Sequence, residues 1–220
     1  MELAVPFNMN RSEKLIIQEH LQPWLASPNK NVFRKPFERE KEESGQVTSL
    51  VRYEPGSEFS EHTHPLGEEI FVWEGEFADE HGRYPAGTYL RNPSGSSHKP
   101  FSEVGCKLFV KLNQFASDDL KRVVIDTTRS DWFPGFGMLR VMPLHEHGTH
   151  NAALVHWPPG ATFQPHKHWG GEEIFVLQGT FQDEYGNYPQ GTYLRSPHLS
   201  MHNPFSEKGC TILVKVGHMQ

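Results

Sequence analysis

The sequence predicts an all-β protein made of two tandem copies of one domain, and three observations lead there. The stretch from Gly56 to Gly75 recurs from Gly160 to Gly179, and His62, His64, Glu68 and His98 return as His166, His168, Glu172 and His202, always 104 residues later. The 17 Pro and 19 Gly cut the chain into short segments, which suits strands joined by turns. No convincing amphipathic helix separates those segments, so antiparallel sandwiches or barrels are expected. A repeat of about 100 residues is too long for a solenoid unit. It is also long enough for each copy to carry its own core.

Taken in order, residues 1–22 read as a lead segment packed on the first barrel. Ser12 is a candidate N-cap for a short helix over Glu13–Leu21, and Pro23 would stop it. The first domain spans residues 23–114, opening near Trp24, and the second spans 131–220, opening near Trp132. Between them, 115–130 is a linker whose Arg122–Asp126 is expected as a strand crossing between the barrels. In the first domain Val47–Arg52, Glu69–Trp73 and Thr88–Arg91 are strand candidates bounded by turn residues. Cys106–Leu112 alternates and places Cys106, Leu108 and Val110 on one face. The acidic run from Glu38 to Glu43 corresponds to His145, His147 and His150 in the other copy. Loop length varies there, so both are read as solvated tips rather than binding sites.

From Pro55 to Lys111 the copies align without a gap, and more than half of the positions are identical. Both keep the four His/Glu positions, Glu69 and Glu173, the turn Asp79-Glu80-x-Gly82-x-Tyr84-Pro85, Thr88–Arg91, and Gly105-Cys106. Net charge is −6 with no polybasic run, which argues against direct nucleic-acid binding. No apolar run approaches the roughly 18 residues of a membrane span. The first residues lack a basic and apolar leader, so a cytoplasmic location is expected. Cys106 and Cys210, one per copy, are read as packed free thiols of a reducing compartment.

Residues two apart on a strand face one side, so His62 and His64 point together and Glu68 keeps their parity. Pro65-Leu66-Gly67 interrupts the strand, and His98 must arrive from elsewhere, as ligands do when a barrel converges them on its interior. Three imidazoles and a carboxylate suit Zn(II), Fe(II), Mn(II), Ni(II) or Cu(II). The candidate metal ligands are therefore His62, His64, Glu68 and His98, and His166, His168, Glu172 and His202, giving two sites per chain. Glu69 and Glu173 have the opposite parity and should face away. Arg91 and Arg195 should pair with a nearby Glu, while Tyr89 and Tyr193 should lie in the core. His81 and His198 lack counterparts and are not expected to be ligands.

The spacing Gly56-x5-His62-x-His64-x3-Glu68-x6-Gly75 resembles the first cupin motif, and Gly87-x5-Pro93-x-Gly95-x2-His98 resembles the second. The other copy matches through Gly160, His166, His168, Glu172, Gly179, Gly191, Pro197 and His202. Leu199 replaces a motif glycine, and Phe101 and Phe205 stand where the family often has Asn; none of these is a ligand. The resemblance implies a bicupin, with two tandem cupin jelly-roll barrels and one divalent metal in each. Thr48–Ser57, Gly67–Val72, Asp79–Tyr89 and Gly105-Cys106 further resemble the cupin domain of ChrR-type anti-sigma factors. That family implies zinc as the leading metal, with Fe(II), Mn(II) or Ni(II) as alternatives, and a role in stress sensing or transcriptional regulation. Its sigma-gripping domain carries a His-x3-Cys-x2-Cys pattern, which this sequence lacks. Similarity to acetylacetone-cleaving cupins gives the alternative, a metal-dependent dioxygenase, and a storage-like module is a third possibility that intact ligands disfavour. The implied partners are a small molecule in the barrel, a sigma factor or regulatory protein, and a second copy in a homodimer. No catalytic residue is singled out.

Overall fold

The computed structural model describes residues 5–219. Among these the secondary structure is strand throughout, apart from one 3-10 turn at Glu19–Leu21. Among the described residues no helix is long and apolar enough to cross a membrane. The chain divides into two compact units. Pro23–Arg129 lies in the first, and Asn10–Gln22 joins the chain from Ser130 onward in the second.

The lead segment is a strand, β1 (Leu15–Gln18), where a helix was expected. The branched pair Ile16-Ile17 favours extended backbone, and Ile17 is buried. Ser12 does not cap a helix, because Asn10 Oδ1 accepts from its N–H and O–H at 3.2 and 2.7 Å. β1 also belongs to the second unit and not the first.

The first unit is built on β2 (Val32–Arg39), β3 (Val47–Tyr53), β4 (His62–His64), β5 (Glu68–Asp79), β6 (Thr88–Asn92), β7 (Ser96–His98), β8 (Cys106–Leu112) and β9 (Val123–Asp126). Its main sheet runs β9-β6-β5-β8-β3-β2, and β4 pairs with β7 in a separate small sheet. The second unit repeats this with β10 (Arg140–His147), β11 (His150–Trp157), β12 (His166–Lys167), β13 (Glu172–Asp183), β14 (Thr192–Ser196), β15 (Met201–His202) and β16 (Cys210–Val216). Its main sheet runs β1-β14-β13-β16-β11-β10, and β12 pairs with β15.

The two edge strands are exchanged relative to the order of the chain. Val123 of β9 lies opposite Arg91 and Leu15 of β1 lies opposite Arg195, so β9 and β1 are equivalent strands. Each completes the unit built from the other half of the sequence. The stretch 115–130 is therefore part of the first unit's sheet rather than a crossing linker. Arg91 and Arg195 anchor the exchanged segments. Arg91 lies between Glu69, at 3.2 Å, and Asp119, with the Phe115 ring 3.7 Å away. Arg195 donates to the Asn10 carbonyl at 2.7 Å.

Along β5 the side-chain parity slips once. Ile70 and Val72 face the core, yet so does Phe77, because a bulge opposite Lys107/Leu108 inserts an extra residue. Gly75 lies at this bend with φ +73°, and a Cβ there would sit 2.0 Å from the Gly105 carbonyl oxygen. Leu90, Cys106, Leu108 and Val110 complete the core, matched in the second unit by Leu194, Cys210, Ile212 and the partly buried Val214. As expected, Cys106, Leu108 and Val110 share a face, and Tyr89 and Tyr193 are fully buried.

Ile17→Pro should test the exchange. It removes a buried side chain and breaks the β1–β14 ladder, at a cost of about 3 kcal/mol. Amide exchange should accelerate across 192–196 and stay unchanged across 88–92.

Candidate metal centres

The small sheet positions two imidazoles at once, because His62 lies directly opposite His98 in the β4–β7 pair. His64 follows on the same face of β4. The turn Pro65–Gly67 then reverses the chain into β5, whose first residue is Glu68. Gly67 makes that turn with φ +78°, a left-handed conformation that favours glycine. The result is four side chains whose ligand atoms all lie within 4.8 Å of one another, and the second unit assembles its four in the same way. His166 lies opposite His202 there. All eight sequence-predicted residues therefore come together in two groups of four.

The spacing fits a bound ion. His64 Nε2 is 3.1 Å from His98 Nε2 and 3.3 Å from Glu68 Oε2, and His98 Nε2 is 3.4 Å from the same oxygen. In the second unit His168 Nε2 is 3.2 Å from His166 Nε2 and 3.5 Å from Glu172 Oε2. Ligands held about 2.1 Å from one ion stand roughly 3.0–3.4 Å apart. Without a cation such a cluster is poorly satisfied, as the buried His202 Nε2 and Glu172 Oε2 have no hydrogen-bond partner.

The outer partners decide which way the lone pairs point. His62 Nδ1 is 2.8 Å from the Ser60 carbonyl and His166 Nδ1 is 3.1 Å from the Gln164 carbonyl. A carbonyl only accepts, so each Nδ1 carries the proton and each Nε2 presents a lone pair inward. His98 and His202 direct Nδ1 at Asp79 and Asp183, at 3.2 and 3.4 Å. His168 Nδ1 donates to Ser200 Oγ at 2.9 Å, since that hydroxyl itself donates to the Pro197 carbonyl. Such outer hydrogen bonds orient metal-binding histidines and raise their basicity.

Asp79 and Asp183 join the candidate centres through His98 and His202, although the motif spacing did not assign them. Burial alone would raise the carboxyl of Asp183, but hydrogen bonds from His202, Tyr188 and the Tyr185 N–H hold it at about 2. Asp79 is lowered in the same way by His98, His81 and Tyr84. Retention in both copies was the available signal. The parity slip in β5 concealed it, because odd-numbered Asp79 faces the site occupied by even-numbered Glu68.

The two centres differ in how the glutamate is held. Asn92 Nδ2 donates to Glu68 Oε2 at 3.0 Å, whereas its counterpart is Ser196, opposite Glu172. Burial raises Glu172 to about 7. Burial lowers His168 to about 3, with His202 and His166 adding to it, so this imidazole is neutral and free to ligate. Burial also lowers His64. His98 is raised, because Asp79 and Glu68 outweigh its burial.

The remaining candidates fall outside the centres. Glu69 and Glu173 point away and accept from Tyr89 and Tyr193, each at 2.9 Å. His81 is half exposed, and His198 Nδ1 accepts from the Gly170 N–H. His145, His147 and His150 flank the turn between β10 and β11 and form no group of ligand spacing among the described residues. Both cysteines are buried and free, and burial pushes Cys106 up to about 12 and Cys210 to about 11. A redox-reactive thiol needs the opposite shift.

A model of the ChrR cupin-like domain matches this chain twice, over residues 12–116 and 120–220. The chain belongs to the ChrR cupin-like family. Each match includes the lead segment of its own half, and those are the segments that the fold exchanges. No curated protein matches the sequence. Among solved structures, similar folds include a protein of Nostoc punctiforme provisionally described as a dioxygenase, at 15% identity and TM-score 0.75, covering 93% of this chain and 82% of that one. Protein Ylba of E. coli matches at 13% identity and TM-score 0.72, covering 96% and 93%. A variant of Bacillus subtilis oxalate decarboxylase matches at 13% and 0.65, covering 94% and 78%. At these identities the likeness concerns the fold.

Asp79→Asn should weaken metal binding in the first unit by about 10–100-fold and leave the second unchanged. His64→Ala should halve the metal content per chain, as read by elemental analysis. Loss of both ions on either substitution would contradict two independent centres.

Proposed function

We propose that this chain is a metal-dependent bicupin enzyme of the oxygenase type, acting on a small molecule held beside the ion. One observation carries the reading. In the second unit a cavity of about 200 Å³ opens directly onto three of the four candidate ligands, His166, Glu172 and His202. A structural metal site is closed by its protein ligands, whereas a catalytic one keeps a position open to substrate.

The wall of this cavity is apolar and includes Trp157, Phe163 and Phe181. It would orient an apolar substrate and exclude water. Asp183 and Ser200 fix the imidazoles of His202 and His168, so the donor set needs little rearrangement when loaded. Fe(II) or Mn(II) held there would supply Lewis acidity and electron exchange with dioxygen. The free thiols agree with work in a reducing compartment such as the cytoplasm.

A second reading is favoured by the family match, namely a metal-bearing stress sensor that acts on a sigma factor or another regulatory protein. In that reading zinc would be the resident ion and the cavity would receive a signal molecule.

The two are separated by metal analysis of untagged protein, followed by oxygen uptake with diketones and small acids after reloading with Fe(II). The enzyme reading predicts about two exchangeable iron or manganese ions per chain. It also predicts oxygen uptake that falls by more than about 100-fold in His202→Ala. Tightly held zinc, with no uptake for any substrate after reloading, would contradict it and support the sensor.

A further inference from the structure

The two units share their candidate ligands and much of the cavity wall, including Phe59/Phe163, Ile70/Ile174 and Phe77/Phe181, but differ along one edge. In the first unit the cavity beside His62 and Glu68 measures about 90 Å³, and two arginines, Arg34 and Arg39, line it together with Ser49 and Tyr53. Strand register identifies what replaces them. Arg34 lies opposite Val51 and Val141 lies opposite Val155, the equivalent position, so Val141 stands where Arg34 does. By the same register Glu146, opposite Asn151, replaces Arg39, opposite Val47, and Ala153 replaces Ser49. The second cavity contains no guanidinium.

Arg39 reaches the cavity only because β2 is bulged between Pro36 and Glu38. Val32 and Arg34 face inward on even numbers, and the extra residue turns odd-numbered Arg39 to the same side. Arg39 is buried at 6% exposure and donates to the Glu42 carbonyl. Arg34 holds Glu43 with both arms of its guanidinium, at 2.6 and 3.2 Å. The Glu43 side chain is 59% exposed, while Arg34 is 18% exposed. A solvent-exposed loop carboxylate thus sits on a largely buried guanidinium that lines a cavity reaching two of the candidate ligands. Planar two-point pairing of this kind is how Arg recognises carboxylates in general.

We propose that the first barrel binds a small carboxylate anion between Arg34 and the His/Glu centre, with Glu43 occupying the anion's position until it is displaced. The second barrel, with Val141 in place of Arg34, takes an uncharged ligand. At about 90 Å³ against about 200 Å³ in the second unit, the first cavity favours the smaller ligand. The proposal rests on the cavity being a ligand site, as in the reading above, but not on oxygen chemistry.

Acetate and its uncharged isostere acetamide test it, titrated by calorimetry into the full chain with and without added Mn(II). His168→Ala serves as background to silence the second centre. Acetate should bind roughly ten- to a hundred-fold more tightly than acetamide. Arg34→Val, which copies the second barrel and so keeps a side chain that the fold accepts, should abolish that preference without changing metal content. Glu43→Gln should tighten acetate several-fold. A metal-loaded protein that treats acetate and acetamide alike, or is indifferent to Arg34→Val, would overturn the proposal and leave the metal reading intact. Acetate preference in a protein that takes up no metal would do the reverse.

Discussion

The structure depends on the convergence of lone pairs. In each unit three imidazole nitrogens and a carboxylate oxygen are brought within 4.8 Å of one another on mostly buried side chains. Such a cluster is costly unless a cation or protons neutralise it. The outer hydrogen bonds make the arrangement specific. Backbone carbonyls at Ser60 and Gln164 and carboxylates at Asp79 and Asp183 accept hydrogen bonds from Nδ1–H, which leaves Nε2 as the inward ligand atom. Long strands transmit this constraint to the whole fold. β5 carries Glu68 at one end and Asp79 at the other, so the sheet that builds the core also sets both sides of the centre.

Much of this was legible in the sequence, because duplication acts as an internal control. All eight candidate ligands and the all-β tandem architecture followed from spacing and repetition alone. What escaped was decided by features that a linear pattern does not encode. Side-chain parity identifies a face only while the ladder is regular, and a single bulge moved Asp79 and another moved Arg39 to the opposite face. In the lead segment the helix signals Ser12 and Pro23 compete with the β-branched pair Ile16-Ile17, so local pattern alone does not decide its state. Its strand state depends on pairing with residues near 192–195, a contact far away in sequence. Val123–Asp126 likewise takes its place in the sheet through a distant partner, the strand of Arg91.

Duplication also explains the differences between the centres. The shared positions build the barrel, the donor set and most of the apolar cavity wall, whereas one edge of the cavity, at Arg34/Val141 and Ser49/Ala153, has diverged. The first centre has Asn92 on its glutamate and guanidiniums in its cavity. The second has a glutamate raised to about 7 by burial and a larger apolar chamber. One frame therefore sets the same donor set beside two different cavities. The exchange of β1 and β9 gives a reason for the copies to remain in one chain, since each unit's sheet is completed by a strand from the other half of the sequence.

The most direct measurement is anomalous diffraction at the metal absorption edge from crystals of the metal-loaded protein. The lone-pair convergence predicts one peak in each barrel, about 2.0–2.2 Å from the imidazole nitrogens and the glutamate oxygen. It also predicts Nε2 as the ligand atom in His62, His98, His166, His168 and His202. Peaks elsewhere, coordination through Nδ1, or no peak in either barrel would contradict it.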